Sequence, residues 1–200
     1  MYLSDAAQKW RGSSGKAEAT LHQLSPFIGK LKSTIAGELV SAYSKPNDLI
    51  CDPFSGSGTV ALEAWRAGRR VLASDLSEYA CLLTKAKLFP YPSLSEAFTD
   101  LEALAEHVES QDLRIQTAAP DWVSKFFHPK TLTEISLWVD LLKRENKHFL
   151  LACLMGILHH QRPGFLSYPS SHTVPYLRAN KYPLAEYPEL YTYRELYPRL

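Results

Sequence analysis

The 200 residues lack any run long enough to cross a membrane: the longest apolar stretch, Phe149 to Leu158, is ten residues, against about 20 for a span. It reads instead as a buried helix. Charge of one sign is also lacking, with 22 Lys and Arg against 21 Asp and Glu. Net charge therefore identifies no partner, although a local basic face can sit on a neutral whole. The three cysteines, Cys51, Cys81 and Cys153, form no CxxC pair, and His159 and His160 are adjacent, not at ligand spacing. This argues against a zinc site or a disulfide framework and suits reduced thiols in a cytoplasm. Residues 1–20 hold no apolar core of the kind a signal peptide needs. There is no internal repeat and no low-complexity run beyond a tyrosine bias near the end.

What remains is a globular composition, with 46% apolar and 22% charged residues, and a length suited to one domain with a real core. The chain is organised around Leu49 to Ala80. Leu49-Ile50-Cys51 reads as a short strand that Asp52-Pro53 ends, because proline cannot continue a ladder. Gly56 and Gly58 allow a tight turn. Thr59 to Ala67 has helical character, Gly68 sits where a helix C-cap belongs, and Arg70 to Ser74 is a second strand ending at Asp75.

Such a turn brings backbone N–H groups and a helix N-terminus to the carboxyl end of a strand. An acid about 20 residues further on can accept hydrogen bonds from a ribose diol. Asp75 follows Gly56 by 19 positions, and Gly56-x-Gly58-x-x-Ala61 matches the glycine fingerprint with alanine in its last slot. A phosphate-binding P-loop is excluded because Gly58 is followed by Thr59-Val60 with no lysine. A nucleophile elbow is excluded because Gly56 and Gly58 directly flank Ser57. A dinucleotide site in a similar fold is the remaining alternative, though Asp-Pro-Phe before the glycines is not how dehydrogenases usually begin.

Asp52-Pro53-Phe54-Ser55-Gly56-Ser57-Gly58-Thr59 resembles the first motif, DPFxGSGT, of S-adenosyl-L-methionine-dependent methyltransferases that modify exocyclic amines of DNA bases (N6-adenine or N4-cytosine). The resemblance implies that Asp52, Pro53, Phe54, Ser55, Gly56, Ser57, Gly58 and Thr59 line the methionine part of the cofactor. It also implies that Asp75, followed by Leu76, takes the ribose hydroxyls, and that the partner is double-stranded DNA with a flipped base. An RNA guanine-N2 methyltransferase shares the wording, but usually carries an RNA-binding domain ahead of it, and only 48 residues precede the first strand here. In the same family the segment before the first strand closes over the methionine end, a role open to Phe27 and Lys30 alongside a purely structural one.

A second motif of that family, (D/N/S)PP(Y/F), holds the target amine and stacks on the flipped base. No stretch of this sequence matches it: Ser25-Pro26-Phe27, Asp52-Pro53-Phe54 and Tyr168-Pro169-Ser170 have one proline each. No catalytic residue can therefore be named. Two strands are clear and Leu113 to Thr117 is a weak third, short of the five or so of a doubly wound sheet. The expected fold is α/β, a Rossmann-like class I methyltransferase fold with an incomplete parallel sheet and a helix-rich C-terminal half. It would be a truncated or split enzyme, completed by a second polypeptide that carries the catalytic motif, in a setting such as restriction-modification. The competing expectation is a non-catalytic cofactor- or nucleic-acid-binding module supporting a partner subunit.

The remaining chain divides into a flexible N-terminus (1–20), a cofactor-binding portion with a helical insertion (21–160) and a Tyr/Pro/Arg-rich extended segment (161–200). Helices are expected over about Ser33 to Ser44, Ser77 to Leu88, Ser95 to Ser110, Thr131 to Asn146 and Lys147 to His160. Asp121 to Phe127 reads as a short docking segment, and Thr131-Leu132-Thr133-Glu134 as a capping box. Seven of the 11 tyrosines lie after residue 161, among Arg162, Arg178, Lys181, Arg194 and Arg199. Two readings stand for this segment. Arg162, Tyr168 and Arg178 form a nucleic-acid surface, or the tyrosines pack and hydrogen-bond internally.

Overall fold

The computed structural model describes residues 18–110, 119–169 and 175–200. Leu113 to Thr117, the weak third strand, and most of the N-terminal 1–20 segment lie outside the described residues. The chain packs as two compact units, residues 1–90 and 91–200. It is a helix-rich α/β structure with a small parallel sheet.

The first unit holds a 3-10 turn (Thr20–Gln23), α1 (Ser33–Tyr43), β1 (Leu49–Asp52), α2 (Thr59–Arg66), β2 (Arg70–Ala73) and α3 (Glu78–Leu88). β1 and β2 pair in parallel, Leu49 beside Arg70 through Asp52 beside Ala73. The crossover is short because Gly68, at φ 74°, ends α2 and its carbonyl accepts from Asn47 N–H at 2.8 Å. Strand alternation then sets the faces. Ile50 and Val71 are half-buried, while Leu49, Cys51 and Leu72 on the other face are exposed. Small residues let the helices approach closely: Ala36, Ala61, Ala64, Ala80 and Ala86 are fully buried around Leu62 and Leu83. Ser77 caps α3 by accepting from Ala80 N–H at 3.4 Å, with Glu78 in the first turn and Lys85 and Lys87 in the last, the arrangement a helix dipole favours.

The second unit holds α4 (Leu94–Glu109), the single turn α5 (Asp121–Ser124), α6 (Pro129–Arg144), α7 (His148–Ile157) and α8 (Pro175–Lys181), then 3-10 turns at Pro188–Tyr191 and Tyr197–Arg199. The tail is thus partly helical, where the sequence shows no period. Trp138, 2% exposed, packs in its core with Leu142, Leu154, Leu166 and Leu196 and stacks on Tyr197 at 6.4 Å between ring centres. Among the described residues, no helix is long and apolar enough to cross a membrane.

One local expectation is corrected. The capping box at Thr131 and Glu134 does not form; the helix begins two residues earlier, at Pro129, with His128 Nδ1 accepting from Lys130 N–H at 3.2 Å. The capping box signature is local, whereas these side chains act over long range. Thr131 Oγ1 donates to the Arg194 carbonyl at 2.8 Å and accepts from Arg194 N–H at 3.0 Å. Glu134 accepts from Leu196 N–H at 2.9 Å and from the Tyr193 hydroxyl. The two buried polar residues fasten the C-terminal strand of chain to α6. Glu134→Ala leaves a buried N–H without its acceptor, which costs about 1–3 kcal/mol. Chemical denaturation is expected to show a loss of that size, whereas the exposed Glu102→Ala stays within about 0.5 kcal/mol.

Candidate functional site

The end of β1 runs into a turn whose backbone favours glycine at two points. Gly56 has φ 50° and Gly58, the N-cap of α2, has φ 74°. The second position is closed from below as well: a Cβ on Gly58 would lie 2.7 Å from Thr84 Oγ1 and 3.0 Å from Thr84 Cα. Helix α3 thus supports the turn directly. Thr84 Oγ1 also donates to Ser55 Oγ at 3.3 Å, and the ammonium of Lys87 donates to the Ser57 carbonyl.

Asp75, at the tip of β2, reaches back to the turn. One carboxylate oxygen accepts from Gly56 N–H at 2.8 Å and the other from Ser77 N–H at 2.9 Å. The Ser77 amide first, then that of Gly56, hold this carboxyl below the ordinary aspartate range. The turn amides that the sequence brings to the strand end as ligand donors are consequently already engaged within the protein. Gly56 N–H goes to Asp75, Gly58 N–H to the Ser55 carbonyl at 2.7 Å, and Ser55 N–H to the Ser74 carbonyl at 2.9 Å. The reason is that the turn closes on itself and on the neighbouring strand end, and any ligand must share or displace the Asp75 bond.

Beside this turn is a cavity of about 170 Å³, lined by Asp52, Phe54, Ser55, Gly56, Ser57 and Thr59 from the predicted site and by Phe27, Gly29, Lys30, Leu31 and Val60. Pro53, Gly58, Asp75 and Leu76 are not part of its lining; Asp75 joins it through Gly56, and Leu76 is fully exposed next to Asp75. Phe27 covers the bend, its ring 3.4 Å from where a Gly56 Cβ would stand, and packs on Tyr79 at 6.1 Å. That segment is anchored by His22, whose Nε2 meets Glu63 Oε1 of α2 at 2.7 Å, and by Lys30, which donates to the His22 carbonyl at 2.9 Å. Phe27 and Lys30 therefore line the site, and Lys87 supports it. The signal for Lys87 is its spacing: Ala80, Leu83 and Lys87 share one helical face, and a lysine there is buried.

The predicted nucleic-acid residues belong to the second unit. Arg178 is 4% exposed, its guanidinium lying 5.0 Å from the Tyr168 ring and 5.5 Å from the Tyr191 ring and donating to the Lys125 carbonyl. These are internal cation–π contacts on a guanidinium that lies beside both rings. Tyr168 is half-buried in the same cluster, and Arg162 Nε donates to the Gly156 carbonyl at 3.4 Å. Tyr191 and Tyr193 likewise bond internally, to the Tyr182 carbonyl and to Glu134. Among the described residues, no group of three or more His, Cys, Asp or Glu side chains is placed to hold a metal ion.

Comparison with known proteins assigns a context to this geometry. Residues 9–86 match a family model described as DNA methylase. Over 71 residues the chain is 30% identical to the Type II methyltransferase M.MjaII of Methanocaldococcus jannaschii, a match covering 36% of this chain and 13% of that protein. No solved structure matches. The family match falls within the first compact unit, residues 1–90, which carries the glycine turn, Asp75 and the cavity.

The steric argument at Gly58 is testable on its own. Gly58→Ala places a Cβ in a left-handed residue and against Thr84, which costs at least about 2 kcal/mol from strain and overpacking together. Thermal or urea denaturation is expected to report that loss, while Gly29→Ala, where a Cβ meets nothing within 4 Å, loses only the strain of its φ, about 1–2 kcal/mol.

Proposed function

With its residues 9–86 DNA N6/N4-methyltransferase-like, we propose that this chain binds S-adenosyl-L-methionine at the glycine turn and supplies the cofactor part of a DNA methyltransferase acting on an exocyclic base amine. The observation that carries the reading is the Asp75 carboxylate, 2.8 Å from the N–H of Gly56, a residue that itself lines a cavity walled by six residues of the DPFSGSGT turn. When bound, the cofactor supplies an activated methyl group on a sulfonium. The protein's own part is to hold it. Asp75, ionised and only partly engaged, accepts from the two ribose hydroxyls, and Leu76 offers an apolar surface beside them. Asp52, Phe54 and the bend from Ser55 to Thr59 face the methionine end, where Gly56 leaves room that a side chain would take.

Transfer needs groups that hold the target amine in line with the methyl group, and the (D/N/S)PP(Y/F) tetrapeptide that does so in this family is not in the 200 residues. We assign it to a further polypeptide segment or a second chain. The exposed Leu49, Cys51 and Leu72 on one face of the two-stranded sheet support this, since parallel strands are ordinarily covered on both faces. DNA is favoured over RNA by the family the residues match, and a restriction-modification setting by the Type II relative. The Rossmann-like reading of the fold rests on the same match.

Calorimetric titration with S-adenosylhomocysteine is expected to give binding. Asp75→Ala, its circular dichroism unchanged, should weaken that binding roughly 10–100-fold, the loss of hydrogen bonds to a charged group. Unchanged affinity removes the ribose assignment. Methyl transfer to duplex DNA is expected only when a chain supplying the tetrapeptide is co-expressed.

A further inference from the structure

Lys87 is 1% exposed, yet among the described residues it forms no salt bridge; its partner is the Ser57 carbonyl. A buried ammonium paired with a neutral carbonyl is costly, and burial, with the charge of Lys30 acting in the same direction, pushes this one down to about 8. At neutral pH it still carries its charge. The charged groups that bear on it are Lys30 and, in the opposing sense, Glu18, and Lys30 bonds Glu18 weakly at 3.5 Å.

Both lysines are tied to one cavity, Lys30 as part of its wall and Lys87 through the Ser57 carbonyl. Ser57, whose carbonyl Lys87 holds, lines it, as does Lys30, and the cavity also presents Asp52. A lysine and a carboxylate in the wall of one small cavity, with a second, buried cation bonded behind that wall, form a pattern complementary to an amino-acid zwitterion. We propose that Lys87 is a positioning residue whose buried charge, together with Lys30, selects ligands bearing an α-carboxylate in the cavity behind the glycine turn. This deepens the cofactor reading above and rests on it. Lys87 acts through the Ser57 carbonyl and through its field, not by touching the ligand: opposite charges separated by protein, not water, attract strongly enough to matter over several ångströms.

The test compares two ligands that share the thioadenosine and differ at the amino-acid end: S-adenosylhomocysteine, which has the carboxylate, and 5′-methylthioadenosine, which lacks it. In full-chain calorimetry, Lys87→Met is expected to weaken S-adenosylhomocysteine about tenfold or more and to leave 5′-methylthioadenosine within about twofold, while Lys87→Arg keeps the wild-type preference. Equal weakening of both ligands reduces Lys87 to a support of the turn and overturns the proposal, as does no change in either. Should Lys87→Met not fold, Lys87→Gln, which retains a donor for the Ser57 carbonyl without the charge, carries the same comparison. Failure of the wild-type chain to bind either ligand overturns the cofactor reading itself and is thereby distinguished from failure of the Lys87 assignment.

Discussion

A single hydrogen bond, from Gly56 N–H to the Asp75 carboxylate at 2.8 Å, joins the two halves of the strand–turn–helix–strand unit across 19 residues. It needs both strands in register, because Asp75 reaches the bend only when Asp52 pairs beside Ala73. It also needs the bend itself, which Gly56 and Gly58 permit with positive φ. An ionised carboxylate on a backbone amide is a stronger bond than a neutral pair, so the same interaction that closes the bend keeps the acid charged and aimed. A ligand with a hydroxyl pair finds an acceptor already in position.

Around that bond the first unit is arranged in layers of support. From one side α3 presses Thr84 and Lys87 against the turn. From the other, the segment through His22 and Lys30 brings Phe27 over Gly56, fixed by the buried His22–Glu63 contact. The result is a cavity whose walls come from two separated stretches of chain, residues 27–31 and 52–60, with the Phe27 ring over the bend. The second unit is held together by a different device, buried polar side chains of α6 that bind the backbone of residues 194–196, and its tyrosines serve that packing.

The parts that sequence made legible are those with local causes. Glycine and proline punctuation placed β1, the turn, α2 and β2 to within a residue or two, whereas the Gly56–Asp75 bond itself was not foreseen: the spacing singled out Asp75 only as an acceptor for a ligand. Helical periodicity located α1, α3, α4 and α7. Long-range pairings were not legible. Nothing near Thr131 or Glu134 in sequence indicates a partner more than 60 residues away, so a capping motif was the natural local reading. The clustering of tyrosine and arginine in the tail was visible, but whether a guanidinium faces outward is decided by packing, and Arg178 is buried beside two rings. Lys87 sat on the apolar face of its helix, a local conflict of the kind that marks functional sites.

The most direct test of the central claim is at the bend. In a ¹H–¹⁵N correlation spectrum of the chain titrated with S-adenosylhomocysteine, the account predicts that the Gly56 amide, whose acceptor must be shared with the ribose, shifts most, together with those of Ser57 and Leu76. Saturating ligand that leaves Gly56 unmoved, or that perturbs only amides after residue 91, would contradict it.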